Sequence, residues 1–186
     1  MKRLLIISSI LFFFIACNEN SGNNTAADND KTDSSRAEKV ESKEDRNKKI
    51  IKEAMAALND HNVDKMVGLM APDAVDHGDG SGRTIKGVDS IKANMTSMMN
   101  SFPDFKADDL RYFADGDHVV VIGQYSGTFK KDMGNMKATG KSFKFPDADI
   151  FTLNDEGKIT SHRYIQPDAT FFSQIGAKPP SAKKKD

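Results

Sequence analysis

Cysteine is nearly absent from these 186 residues: Cys17 is the only one, so no disulfide can form within the chain. An excess of either charge is also missing, since Lys plus Arg and Asp plus Glu both number 27. A balanced chain lacks the electrostatic footprint of a nucleic-acid binder, and the one basic run, Lys183-Lys184-Lys185, reads as a solvated tail. No apolar run approaches the roughly 20 residues that cross a bilayer, since the run from Leu4 to Ile15 is too short. The four histidines are far apart, and no pair has the spacing of metal ligands on a helix or hairpin, so no metal is expected. A phosphate-cradling loop is missing as well. Gly78, Gly80 and Gly82 alternate but do not lead into a helix, and no serine sits in a nucleophile elbow, so no cofactor is expected.

What the N-terminus does have is an export signal. Lys2 and Arg3 precede the apolar run, which ends in Ala16 and Cys17. The stretch Phe14-Ile15-Ala16-Cys17 resembles a bacterial lipobox, in which the cysteine becomes the new N-terminus and carries acyl chains. Acylation explains a thiol without a partner, and it implies a cell-envelope protein lipid-anchored to a membrane outside the cytoplasm. Residues 1–16 are then the signal, and residues 17–46 carry Cys17 and a tether. Between Asn18 and Arg46 there is no aromatic residue, and Val40 is the only branched aliphatic. Such a segment buries too little apolar surface to offset its ordering entropy.

Periodicity begins at residue 47 and lasts to about 177, leaving 178–186 as a basic tail. Ile50, Ile51, Ala54 and Leu58 share one helical face. After His61 and Asn62, a short helix carries Val63, Met66, Leu69 and Met70, with Pro72 ending it. Val75 to His77 reads as a brief strand. Val88, Ile91, Met95, Met98, Met99 and Phe102 predict a third helix that stops before Pro103. Its methionines are core filler or the lining of a ligand groove. Strand patterns follow over Phe105 to Phe113, His118 to Phe129, Ser142 to Leu153 and Ile159 to Tyr164, with turns at Asp115-Gly116-Asp117 and Asn154 to Gly157. Lys131 to Gly140 is a polar excursion over one end of the sheet. A last helix with Phe171, Phe172 and Ile175 stops at Gly176. Helices followed by an antiparallel meander predict an α+β layer architecture, in which a curved sheet wraps the N-terminal helices and encloses a cavity.

Six fragments then occur in the order found in one family: Ser101-Phe102-Pro103-Asp104-Phe105, Asp115-Gly116-Asp117-His118-Val119-Val120-Val121, Gly127-Thr128, Ala138-Thr139-Gly140-Lys141, Asp155-Glu156-Gly157-Lys158-Ile159 and Gln174-Ile175-Gly176. Together they resemble the SnoaL-like polyketide cyclases of the nuclear transport factor 2-like superfamily, over about residues 48 to 177. The resemblance implies a cone-shaped barrel with an apolar pocket, often a homodimer, and without a metal or cofactor.

Cyclases of this type remove a proton beside a carbonyl, so the resemblance directs attention to side chains able to do so in an apolar pocket. His77, Asp149 and Asp168 are the catalytic candidates, and Tyr125, His162 and Tyr164 the ligand-binding ones. His77 either borders the pocket or anchors a loop. Strand alternation puts Asp147, Asp149 and Phe151 on one face and Ala148, Ile150 and Thr152 on the other, without fixing which points inward. His162 and Tyr164 share a face that either lines the cavity or caps the sheet. The family's acid/base Asp precedes the last helix. Counting back from Gln174-Ile175-Gly176 puts that position at Pro167, with Asp168 one residue later, where it could instead cap the helix. Two functions follow: a membrane-anchored domain binding a small apolar ligand, or an acid/base enzyme acting on a hydrophobic carbonyl compound.

Overall fold

In the computed structural model the described residues are 41–79 and 84–178. The signal, Cys17, nearly all of the tether, Gly80, Gly82 and the Lys183–Lys185 run lie outside them. Four helices and six strands alternate in the order α1 (Lys43–Asn59), α2 (Val63–Gly68), β1 (Met70–Asp76), β2 (Ile85–Lys86), α3 (Val88–Ser101), β3 (Lys106–Asp115), β4 (His118–Thr128), β5 (Ser142–Leu153), β6 (Ile159–Tyr164) and α4 (Asp168–Ile175). All described residues fall in one unit, which runs from Lys39 to Asp186.

α1 starts at Lys43, four residues before the polar composition gives way, because local chemistry supplies what apolar burial does not. The Ser42 side chain accepts from the Asp45 N–H, and Glu44 and Asp45 place negative charge at the positive end of the helix. Lys43 pairs with Asp117 and Asp155 from the two hairpin turns, and the fully buried Asn47 donates to the Gly116 carbonyl at 3.0 Å. At the other end of α1, Asn59 exchanges two 2.8 Å hydrogen bonds with the Ala107 backbone, so β3 is tied to the helix that it packs against.

The strands form one six-stranded curved, unclosed sheet in the order β2-β1-β6-β5-β4-β3. β3, β4, β5 and β6 make the antiparallel meander, but β1 lies parallel to β6, so the sheet is mixed rather than wholly antiparallel. β1 is also longer than the sequence pattern suggests, starting at Met70, where the second helix was expected to continue. Pro72 lacks the N–H that a ladder needs, and the β1–β6 register jumps between Met70 and Val75 around it. That interruption, together with the two-residue strand β2, hides the element from a search for alternation.

α1 packs on β3 and β4, α3 on β1, and α4 on β5, which leaves a space between helices and sheet. Phe102, Phe143, Phe145 and Phe171 close one end of it as an aromatic cluster, with the Phe143 and Phe171 rings 5.1 Å apart and edge-on. Gly176 ends α4 in the left-handed conformation with φ 65°, which a residue with a Cβ adopts only at a cost.

Candidate functional site

The space between the layers is a cavity of about 420 Å³. Seven of the nine methionines line it: Met55, Met66 and Met70 from the first part of the domain, Met95 and Met98 from α3, and Met133 and Met136 from the β4–β5 connection. The opposing wall is largely aromatic, built from Phe105, Phe143, Phe145, Phe151 and Phe171.

The chemistry comes from β5. Its buried positions are Phe143, Phe145, Asp147, Asp149, Phe151 and Leu153, so both aspartates share the face that the phenylalanines turn toward the cavity. Asp147 is 8% exposed and Asp149 7%. Two neighbouring strands supply partners for Asp149. Tyr125 on β4 donates its phenol O–H to Asp149 Oδ2, and His162 on β6 lies 3.0 Å from Asp149 Oδ1 through Nε2. The other ring nitrogen of His162 lies 3.4 Å from Asp76 Oδ2 at the end of β1. The result is a chain Tyr125–Asp149–His162–Asp76 across four strands, with the His162 ring centroid 4.8 Å from that of Phe151 and the two rings tilted by 30°.

Electrostatics separate the two β5 carboxylates. Burial works against the His162 imidazolium, but its hydrogen bonds to Asp149 and Asp76 and their charges outweigh burial and push its pKa up to about 10. His162 therefore carries its proton at neutral pH. Burial would raise the Asp76 pKa too, yet hydrogen bonding to His162 and attraction to its charge leave it lowered. Tyr125 is driven well above the ordinary phenol value by burial and then by Asp149, so it remains an O–H donor. Asp147 behaves oppositely to Asp76. Burial and the negative Asp149 raise it to about 6, against a weaker opposing pull from the Ala148 N–H, 2.7 Å from Oδ1. Asp149 has both oxygens engaged by donors, whereas Asp147 is poised to gain or lose a proton near neutral pH.

Of the sequence candidates, Asp149, His162, Tyr125 and Tyr164 come together at this pole of the cavity, and Asp168 also lines it. Asp168 is the first residue of α4 and accepts from Gln166 Nε2 at 2.9 Å, while the N-cap position belongs to Pro167. It is therefore a cavity residue rather than an N-cap. His77 is different. It is half-buried and does not line the cavity, and its backbone N–H donates to the His162 carbonyl. Of the two places open to His77, bordering the pocket or anchoring a loop, the pocket positions at the end of β1 go to Asp76 and Gly78. The sequence reading missed Asp76 and Asp147. The signal for Asp147 was present: extending the alternation back to Phe143 and Phe145 makes one face of β5 plainly apolar and carries both aspartates inward with it. No group of three or more His, Cys, Asp or Glu side chains suited to holding a metal occurs among the described residues.

An open curved sheet closed over by helices, with a polar pole inside an apolar cavity, defines a cone-shaped pocket protein of the nuclear transport factor 2-like class. The family model for SnoaL-like polyketide cyclases matches residues 49–175, and the chain belongs to that family. Solved structures agree on the fold. A candidate polyketide cyclase from Xanthomonas campestris pv. campestris superposes with a TM-score of 0.67 at 19% identity, over 72% of this chain and 99% of that one. A SnoaL-like polyketide cyclase candidate from Jannaschia gives 0.65 at 21% identity, over 73% and 95%. A protein with a ketosteroid isomerase-like fold from Catenulispora acidiphila, solved with trimethylamine, gives 0.58 at 21%, over 69% and 93%. No curated protein matches.

Proposed function

We propose that the domain is an acid/base enzyme acting on a small, hydrophobic carbonyl compound, and that Asp147 transfers the proton. One observation carries this reading: two inward carboxylates, two residues apart on β5, have environments that push their roles apart. In the ionised form Asp147 takes a proton from the carbon beside the carbonyl, leaving an enolate. The protonated acid then returns it to another carbon, or the enolate carbon attacks a second carbonyl to close a ring and the protonated Asp147 gives its proton to the alkoxide so formed. His162 is the only lining residue among those described that carries positive charge, and it offsets the developing negative charge. Tyr125 and His162 hold the Asp149 carboxylate in place through one hydrogen bond to each oxygen. The methionine and phenylalanine walls supply the water-poor surroundings that make a carboxylate basic.

The test needs no knowledge of the product. In heavy water, a panel of hydrophobic ketones is followed by NMR for deuterium entering the carbon next to the carbonyl. Wild-type protein is expected to catalyse incorporation, and Asp147→Asn to slow it by about 10² to 10⁴-fold while retaining the fold. Ketones that bind to the wild type without exchanging would overturn the enzyme reading. They would favour the second one, an apolar-ligand carrier, which the adaptable methionine-rich lining supports.

The segment from Lys2 to Cys17 supports anchoring of this domain to a membrane through acylated Cys17. Mass spectrometry of the protein extracted from membranes is expected to show an acylated N-terminal Cys17. An unprocessed or unacylated Cys17 would remove the anchor.

A further inference from the structure

The β4–β5 connection folds over the cavity and is held at both ends. The Lys130 and Lys131 N–H groups donate to the Ser101 carbonyl at 2.9 and 3.3 Å, and the Thr139 hydroxyl donates to the Ile175 carbonyl. Met133 and Met136 pair through two 3.0 Å backbone hydrogen bonds, and both line the cavity while remaining half-buried. Met98 of α3 and Phe172 of α4 are also half-buried lining residues, and Asn94 is exposed. The cavity therefore meets solvent along a rim made by α3, the β4–β5 connection and α4.

Charge is segregated beside that rim. Between Phe129 and Phe145 stand five lysines, at 130, 131, 137, 141 and 144, all exposed, and one carboxylate, Asp132. Lys178 lies three residues past the end of α4, and the Lys141 side chain reaches Gly176 at the end of that helix, so the connection and the helix end share one surface. Lys137 is paired with Asp132 and Lys130 with Asp104, whereas Lys131, Lys141 and Lys144 make no ion pair among the described residues. In a chain whose charges balance overall, this surface is basic only because lysines are concentrated on it.

We propose that the rim docks onto a bilayer surface rich in anionic phospholipid, with the lysines against the headgroups and Met133 and Met136 at the lipid interface. Apolar ligands would then pass between bilayer and cavity without crossing bulk water. Both parts of the surface contribute: lysines near an anionic leaflet strengthen binding by about fivefold each, and partly exposed thioether side chains suit the interfacial region. The proposal is separate from the chemistry in the cavity and applies to an enzyme and a carrier alike.

The polypeptide 18–186, which lacks the acyl anchor, is the material for the test. Every described helix and strand lies between Lys43 and Ile175, so residues 18–186 contain the whole described fold. Flotation with vesicles of phosphatidylcholine alone, and of phosphatidylcholine mixed with phosphatidylglycerol, separates neutral from anionic surfaces. Binding is expected only to the mixed vesicles and is expected to weaken with added salt. The triple variant Lys131→Glu, Lys141→Glu, Lys144→Glu is expected to lose at least about 100-fold in affinity. A charge-matched triple on α1, Lys48→Glu, Lys49→Glu, Lys52→Glu, is expected to bind as wild type, with circular dichroism showing both variants folded. Equal loss in both triples, unchanged binding in the first, or equal binding to neutral vesicles would overturn the proposal. So would capture by soluble polyphosphate without vesicle binding, which would assign the surface to an anionic polymer.

Discussion

Asp147 and Asp149 differ by no atom, and their environments diverge through their neighbours. Asp149 accepts from a phenol and an imidazolium, whereas Asp147 has a backbone N–H and the repulsion of Asp149. The same contrasts set the pH dependence of stability. The Asp147 pKa rises on folding from 3.8 to about 6, so the folded state binds the extra proton and stability falls as pH climbs through that interval. Asp147→Asn is expected to abolish this fall in a series of thermal unfolding midpoints. His162 also has a raised pKa, from 6.5 to about 10, but as a cation it stabilises when protonated. Its contribution is complete below 6.5 and is lost as pH rises through about 10. In His162→Gln, the wild-type loss of unfolding midpoint across that alkaline interval is expected to disappear. Tyr125→Phe leaves one oxygen of a buried carboxylate without its donor, and chemical denaturation is expected to show a loss of about 1.5–3 kcal/mol. No change would mean that the Tyr125 hydroxyl does not hold Asp149.

Elements with long, regular alternation were legible and interrupted ones were not. β5 and β6 begin and end where the pattern predicts, and in β5 a one-residue slip would turn Phe143, Phe145 and Phe151 out of the core. β1 was cut short in the sequence reading because Met70 and Ala71 look like the end of a helix and Pro72 like its stop signal. In the fold the chain passes from α2 to β1 within two residues. For His77 the sequence left a pocket place and a loop anchor both open, and the fold gives the inward place at the end of β1 to Asp76. Tertiary ties also decide element ends, as at Asn59, whose side chain pairs with the Ala107 backbone like a neighbouring strand. Asn59→Ala leaves both backbone groups without that partner and is expected to lower stability by about 1–3 kcal/mol in denaturant titrations.

At the scale of the whole molecule, helices ahead of a meander on a chain of this length already specified an α+β layer architecture, and six ordered fragments specified the family. The direction of the carboxylates was the part that remained open, because it depends on which face of a curved sheet the helices cover. That is set by contacts among α1, β3 and β4 far apart in sequence. The fold therefore supplies what the motifs lack: an apolar enclosure in which Asp149 accepts from two side-chain donors and its neighbour Asp147, raised toward neutrality, is the proposed proton carrier. The most direct check is a carbon-13 NMR titration of the aspartate carboxyl groups, assigned through Asp147→Asn and Asp149→Asn. Asp147 is expected to titrate near 6 and to move downward when Asp149 loses its charge. Titration of Asp147 at the ordinary 3.8, unaffected by Asp149→Asn, would contradict the proposed division of labour.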